Sequence, residues 1–253
     1  MKYFAPEQSI VRRIWGKADT ILFIFAGASA EFALNKAVDW LYFTGKLPED
    51  PIGRLFSTVS YARKIVFAEN DAAEKAIDTI TSIHKAVESS RQSTIPDWAY
   101  RDVLYMLIHY SIAAFELLER KMNMQEKQEV YDVFYRVGKR MQLKDLPDNY
   151  LQWLPDREAH LNNDILRSHF TDDLFVQYKK HLGSFRYTIL IESQKTVVPP
   201  QVAQLLQLGK MHWLKPVVPV YKATRVIKAD QLLMNLLLPA AYKKQILDLN
   251  QWP

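Results

Sequence analysis

A chain of 253 residues, 49% of them hydrophobic, is long enough to bury one substantial core, and its lack of cysteine excludes disulfides, thiolate nucleophiles and cysteine-bound iron centres together. The net charge of +5 comes from 33 basic residues interspersed with 28 acidic ones; with no dense basic block and no nucleic-acid motif, nucleic acid is not an expected partner. Only seven glycines, no low-complexity tract and no repeat favour helices over a turn-rich β sandwich, so the expectation is an all-α fold, a single multi-helix domain over 1–253.

Residues 1–7 lack the apolar stretch of a secretory signal, which makes a cytoplasmic location the default expectation. Ser9 is placed to cap a first helix reaching Arg13, and Asp19 or Thr20 to begin a second that runs toward Leu41. The apolar run 21–28 in that helix is well short of the roughly 20 residues needed to span a bilayer and reads as a buried segment, so no integral membrane segment is expected. Pro48 and Pro51 mark a loop, followed by a helix over about 52–67 that carries Arg54 and Thr58. Asn70 or Asp71 caps the next helix, to about Ser89, whose Ile77, Ile80, His84 and Val87 form one inward stripe. After Pro96-Asp97 a long helix reaches about Lys121 and contains His109, and another covers about 125–141.

With Pro147 and Pro155, the stretch 145–155 reads as a connection, followed by helices near 160–168 and 171–182. Segment 185–191 is β-branched and aromatic, yet it has no convincing partner strand and is assigned to a helix. Pro199-Pro200 starts a short helix to Leu208; Pro216 and Pro219 make 213–220 irregular, and terminal helices begin near Tyr221 and Asp230.

Arg54 and Thr58 stand at i and i+4 and share a helical face, and His84 on the following helix offers a neutral imidazole. A hydrogen-bonded histidine in a helix interface explains His84 equally simply. Asp102, His109 and Glu116 recur every seven residues on one face, which either lines a pocket or meets solvent. His160 with Asp164, and His169 with Asp172 and Asp173, are polar groupings that suit either a metal or ordinary helix ends. Phosphate loops, dinucleotide fingerprints, nucleophile elbows and zinc-protease motifs are absent, and no histidine follows a glutamate by three residues as helical di-iron sites require.

The segment Asp50-Pro51-Ile52-Gly53-Arg54-Leu55-Phe56-Ser57-Thr58, the later Ile83-His84-Lys85-Ala86-Val87, and a final pattern of Leu237-Leu238-Pro239, Tyr242, Leu247 and Trp252-Pro253 resemble the latex-clearing rubber oxygenases and MpaB-type oxygenases, over about 9–253. The resemblance implies a globin-like helical core around haem b, with His84 as the protein's ligand to iron. It further implies that Arg54, Thr58 and Arg12 contact the haem, that His109 lies in the second layer of the pocket or on its opposite side, and that Asp39 assists proton transfer. The implied partners are dioxygen and a small apolar substrate, isoprenoids among them, and the implied activity is that of a haem-dependent oxygenase. Two positions depart from the rubber-oxygenase branch: Ser57 stands where it has a lysine, and Val38, beside Asp39, where it has a glutamate. A non-catalytic helical protein that binds haem or lipid on the same scaffold is the alternative. A third reading is peripheral membrane contact through the C-terminal helices.

Overall fold

The computed structural model describes residues 2–45, 49–210 and 212–226. Within them the chain is helical, and its only β pairings are two isolated bridges, Tyr3 to Glu69 and Asn35 to Ile165. The first helix, α1 (Ile10–Trp15), starts where the Ser9 hydroxyl accepts the Val11 amide at 3.1 Å. It leads into α2 (Ala18–Phe32) and the single-turn α3 (Asp39–Phe43). Asp50 caps α4 (Pro51–Phe67) by accepting the Gly53 amide at 2.8 Å, and Pro51 occupies the first turn, where its missing N–H costs nothing. Next come α5 (Asn70–Arg91), α6 (Asp97–Leu118) and α7 (Met124–Arg140), the last begun by a reciprocal Asn123–Glu126 capping box. The remaining elements are α8 (Tyr150–Asn163), α9 (His169–Val197), α10 (Pro200–Leu205) and α11 (Val217–Val226).

Helices α2 and α6 form the most extensively packed pair, and α9 lies against α2. Gly27 makes this closeness possible: a Cβ there would sit 2.2 Å from ring atoms of Tyr110, so the absence of a side chain lets the tyrosine lie on the α2 backbone. Pairs α4–α5 and α6–α7 pack as neighbours, and α8 closes over α6 and α7. Trp15, Tyr105, Tyr110, Phe115 and Tyr131 are fully buried at the centre, with the Trp15 indole N–H donating to Ser111 Oγ at 3.1 Å. Among the described residues no helix is long and apolar enough to cross a membrane.

Several boundaries differ from the sequence expectation. The second helix stops at Phe32, nine residues before Leu41, because tertiary hydrogen bonds draw the chain out of the helical path. Lys36 N–H donates to the Asp164 carbonyl at 3.0 Å, Leu166 N–H to the Leu34 carbonyl at 2.6 Å, and Asn35 Oδ1 accepts the Ala37 amide at 2.8 Å. The expected connection 145–155 instead turns helical at Tyr150, capped by Asn149, and continues through Pro155. The carbonyl that a proline at 155 leaves without a donor belongs to exposed Leu151, where water can serve it. That helix ends at Asn163, short of the expected Ser168. Around Pro219, the expected irregular stretch becomes the first turn of α11, since a proline there forfeits no intrahelical bond. Segment 185–191 is helical, within α9, which bends at Gly183 (φ 71°). The predicted helix from Asp230 and the residues Leu237 to Pro253 of the final sequence pattern lie outside the described residues, as does most of the surface invoked for membrane contact.

Candidate functional site

Neighbouring helices α4 and α5 bring Arg54 and His84 together. His84 is half-buried against Tyr100 of α6, with ring centres 5.1 Å apart, and its Nδ1 is buried without a partner among the described residues. Burial, and secondarily the positive charge of Arg54, hold its pKa below the usual histidine value, with Glu88 opposing. The imidazole is therefore neutral near pH 7 and has an uncommitted ring nitrogen. Arg54 is half-buried too, and burial lowers its own pKa. Its Nη1 donates to Ser57 Oγ at 3.2 Å, and among the described residues no carboxylate pairs with it. Glu88 is occupied elsewhere, accepting from the Tyr100 hydroxyl at 3.2 Å and the Ile95 amide at 2.8 Å. A lone imidazole and a carboxylate-free guanidinium suit a haem iron and a haem propionate respectively.

Other residues singled out in the sequence are placed elsewhere. Thr58 is exposed, and its hydroxyl turns back to donate to the Arg54 carbonyl at 3.3 Å. Asp39 makes a 2.6 Å ion pair with Arg91, whose guanidinium lies 4.1 Å from the Trp40 ring centre. Arg12 donates to the Phe67 carbonyl at 3.0 Å and stacks over Tyr3. Phe67 ends α4, whereas Arg54 lies in its first turn, about 20 Å away at 1.5 Å per residue. His109 stands nine residues beyond Tyr100 on α6, two and a half turns, so it points to the opposite side of that helix from the ring that meets His84. The grouping around His169 is not assembled: Asp172 pairs with Arg167 at 2.8 Å and Asp173 accepts the Tyr42 hydroxyl at 2.8 Å. Among the described residues no three His, Asp or Glu side chains converge as a metal site.

On its own side, His109 borders a cleft of about 350 Å³ between α6, α8 and the start of α10. The seven-residue stripe noted in the sequence does face this region: His109 and Glu116 are in the wall, and Asp102 lies fully buried beneath it. Opposite stands Arg157 of α8, which the sequence reading passed over. Its guanidinium, 4% exposed, grips fully buried Glu31 of α2 through two hydrogen bonds of 2.6 and 2.5 Å and lies 3.5 Å from Asp102. The Tyr110 hydroxyl donates to the same glutamate at 2.7 Å, and Asn35 donates its amide to Asp102. Burial, and then the negative charge of Glu31, raise the Asp102 pKa well above the carboxylate range despite Arg157. One signal in the sequence pointed here: beyond Asp19 in its first turn, Glu31 is the one charged residue of an otherwise apolar helix, a residue that needs a buried counter-charge. Which of the 33 basic residues supplies it depends on tertiary placement.

Burial and, next, Arg157 lower the His109 pKa to about 4, although Glu31 and a hydrogen bond to the Val197 carbonyl act the other way. The folded imidazole thus stays neutral while the unfolded one protonates near 6.5. Its contribution to stability is present above that value and is lost as pH falls toward 4. We expect wild-type protein to lose stability relative to His109→Gln over this window; parallel urea curves at pH 7 and pH 4.5 with an unchanged difference would refute the assignment.

The family model for the catalytic domain of ER-bound oxygenase mpaB/B' and rubber oxygenase matches residues 12–160, which include Arg54, His84 and His109. No curated protein and no solved structure matches the chain.

Proposed function

This chain belongs to the MpaB and rubber oxygenase catalytic-domain family, and within that family we propose that it is a haem-b-dependent oxygenase acting with dioxygen on an apolar substrate, isoprenoids being one candidate class. The observation that carries the reading is His84, neutral and with a ring nitrogen uncommitted, beside an Arg54 that no described carboxylate neutralises. His84 would hold the iron and Arg54 a propionate. Haem, once bound, supplies the oxygen-activating chemistry that side chains lack.

The protein's own part follows from its charges. Arg54 anchors an anionic group and, through its field, disfavours protonation of His84, so one guanidinium serves both the cofactor's edge and its ligand. Asp39 is held by Arg91 in a 2.6 Å ion pair and reaches a substrate only by leaving that partner. A second reading, a protein that binds haem or lipid without turnover, draws support from that same pairing and from Ser57 at the lysine position of the rubber-oxygenase branch.

The test is an absorption spectrum of protein made with ample haem, beside His84→Ala. A Soret band in the wild type and its loss in the variant are expected. Because the His84 pKa lies below the ordinary histidine value, the band should persist to lower pH than an ordinary imidazole ligand would allow and fade in acid as the imidazole protonates. A colourless wild type after reconstitution with haemin would sink the haem reading. Coloured protein that consumes no oxygen with any of a panel of isoprenoid alkenes would favour the second reading.

A further inference from the structure

The cleft on the far side of α6 from His84 has a chemistry of its own. Two helical stripes face each other across it: His109, Ile112, Ala113 and Glu116 from α6, and Trp153, Leu154, Arg157 and Glu158 from α8. Both sets follow the three- and four-residue spacing of one helix face. The floor is largely apolar and aromatic, yet two of its residues carry hydrogen-bond donors, shielded from solvent behind the cleft surface, that nothing satisfies among the described residues. Trp153, 2% exposed, has no partner for its indole Nε1, and Arg157, with its two terminal nitrogens on Glu31, has none for Nε, among the described residues. Buried donors without acceptors are uncommon, and an oxygen atom brought by a ligand is one way to satisfy them. Across from them, His109 donates one ring N–H to the Val197 carbonyl and is neutral, so its other nitrogen offers a lone pair.

Charge narrows the ligand further. Arg157 is already neutralised by the bidentate carboxylate of Glu31, and Glu116 and Glu158 stand in the wall. An anionic ligand would face Glu158 with no free cation to meet it among the described residues of the wall, since Lys121 and Lys127 already pair with Glu116. At about 350 Å³ the space is near the lower end of small-molecule sites, about 300–1,000 Å³.

We propose that this cleft is a second ligand site, separate from His84, that binds a small neutral apolar molecule through a single carbonyl or hydroxyl oxygen held by Trp153 and Arg157. A carbonyl uses the two donors alone; an alcohol can also donate to His109.

The probe is 2-nonanone, titrated into the full-length protein while the indole N–H resonances are followed by NMR, with the Trp153 signal assigned through Trp153→Phe. A saturable shift of that signal is expected, with nonane giving none and nonanoate binding more weakly than the ketone. Trp153→Phe keeps the ring but removes the donor and should weaken ketone binding roughly three- to tenfold. Ala113→Leu, which leaves both donors in place and fills the cleft, should abolish it. Equal shifts of all indole signals, or binding indifferent to both substitutions, would overturn the proposal, as would the absence of any Trp153 response. The titration does not require haem: colourless protein that binds the ketone would count against the haem reading alone, and coloured protein that ignores it would count against this site alone.

Discussion

Glu31→Ala should destabilise the protein by about 3–5 kcal/mol, among the largest effects of any single substitution in the chain. The carboxylate is fully buried and accepts three hydrogen bonds, two from Arg157 and one from Tyr110. Removing it leaves a guanidinium, itself almost wholly buried, without its bidentate partner. The favourable attraction of the pair is of less consequence here than the charge left behind, because the desolvation cost of Arg157 persists when its compensation is gone. Asp102, 3.5 Å from Arg157, provides a partial rescue. Glu31 is a principal reason that Asp102 resists ionisation, so without Glu31 the aspartate gives up its proton more readily and takes over part of the pairing. The loss measured by urea unfolding should therefore be smaller at pH 8 than at pH 5. Replacing Glu31 and Arg157 together by leucine should recover much of the stability, since well-packed apolar residues often substitute for a buried ion pair at little cost. A single-mutant loss below about 1 kcal/mol would show that the pair is hydrated in solution.

Gly27→Ala should also be damaging, to a smaller extent and for a different reason. The new methyl would lie 2.2 Å from Cδ1 and Cε1 of Tyr110, far inside van der Waals contact, and Tyr110 is fully buried with its hydroxyl fixed on Glu31. Either the α2–α6 pair separates or the ring swings away and abandons its hydrogen bond. Overpacking of this kind costs about 1–3 kcal/mol, or a fall of roughly 2–10 °C in Tm for a chain of this size. Because the clash acts on the ring that serves Glu31, Gly27→Ala and Glu31→Ala should combine less than additively. Additive losses would mean that the glycine and the glutamate act independently.

Much of the helical order can be read directly from residue types. Ser9, Pro51 and the Pro-Asp pair at 96–97 mark helix starts through local chemistry, and the starts follow them. The break after Phe32 could not be read this way, because it is imposed by hydrogen bonds to residues 164 and 166, far along the chain. Pro155 misled for the converse reason: its local penalty is real, but the orphaned carbonyl faces outward. At the candidate sites, the i,i+4 spacing placed Arg54 and Thr58 on neighbouring parts of one turn, yet it could not show that Thr58 satisfies its hydroxyl on its own helix. His84 and His109 look equivalent in a helical sequence. Only their opposite aspects around α6 reveal that one faces Arg54 and the other a separate cleft.

The hydrogen bonds that end α2 bear on where this protein can be cut. Residues 12–160 match the family, but Ala30 and Leu34 of the early chain bury themselves against Leu161, Ile165 and Val202, all beyond that boundary. Lys36 and Leu34 find backbone partners there as well. A recombinant fragment trimmed to the matched span would therefore expose an apolar seam and unpaired amides at the end of its most central helix. The unit of inheritance recognised in the sequence is smaller than the unit of folding.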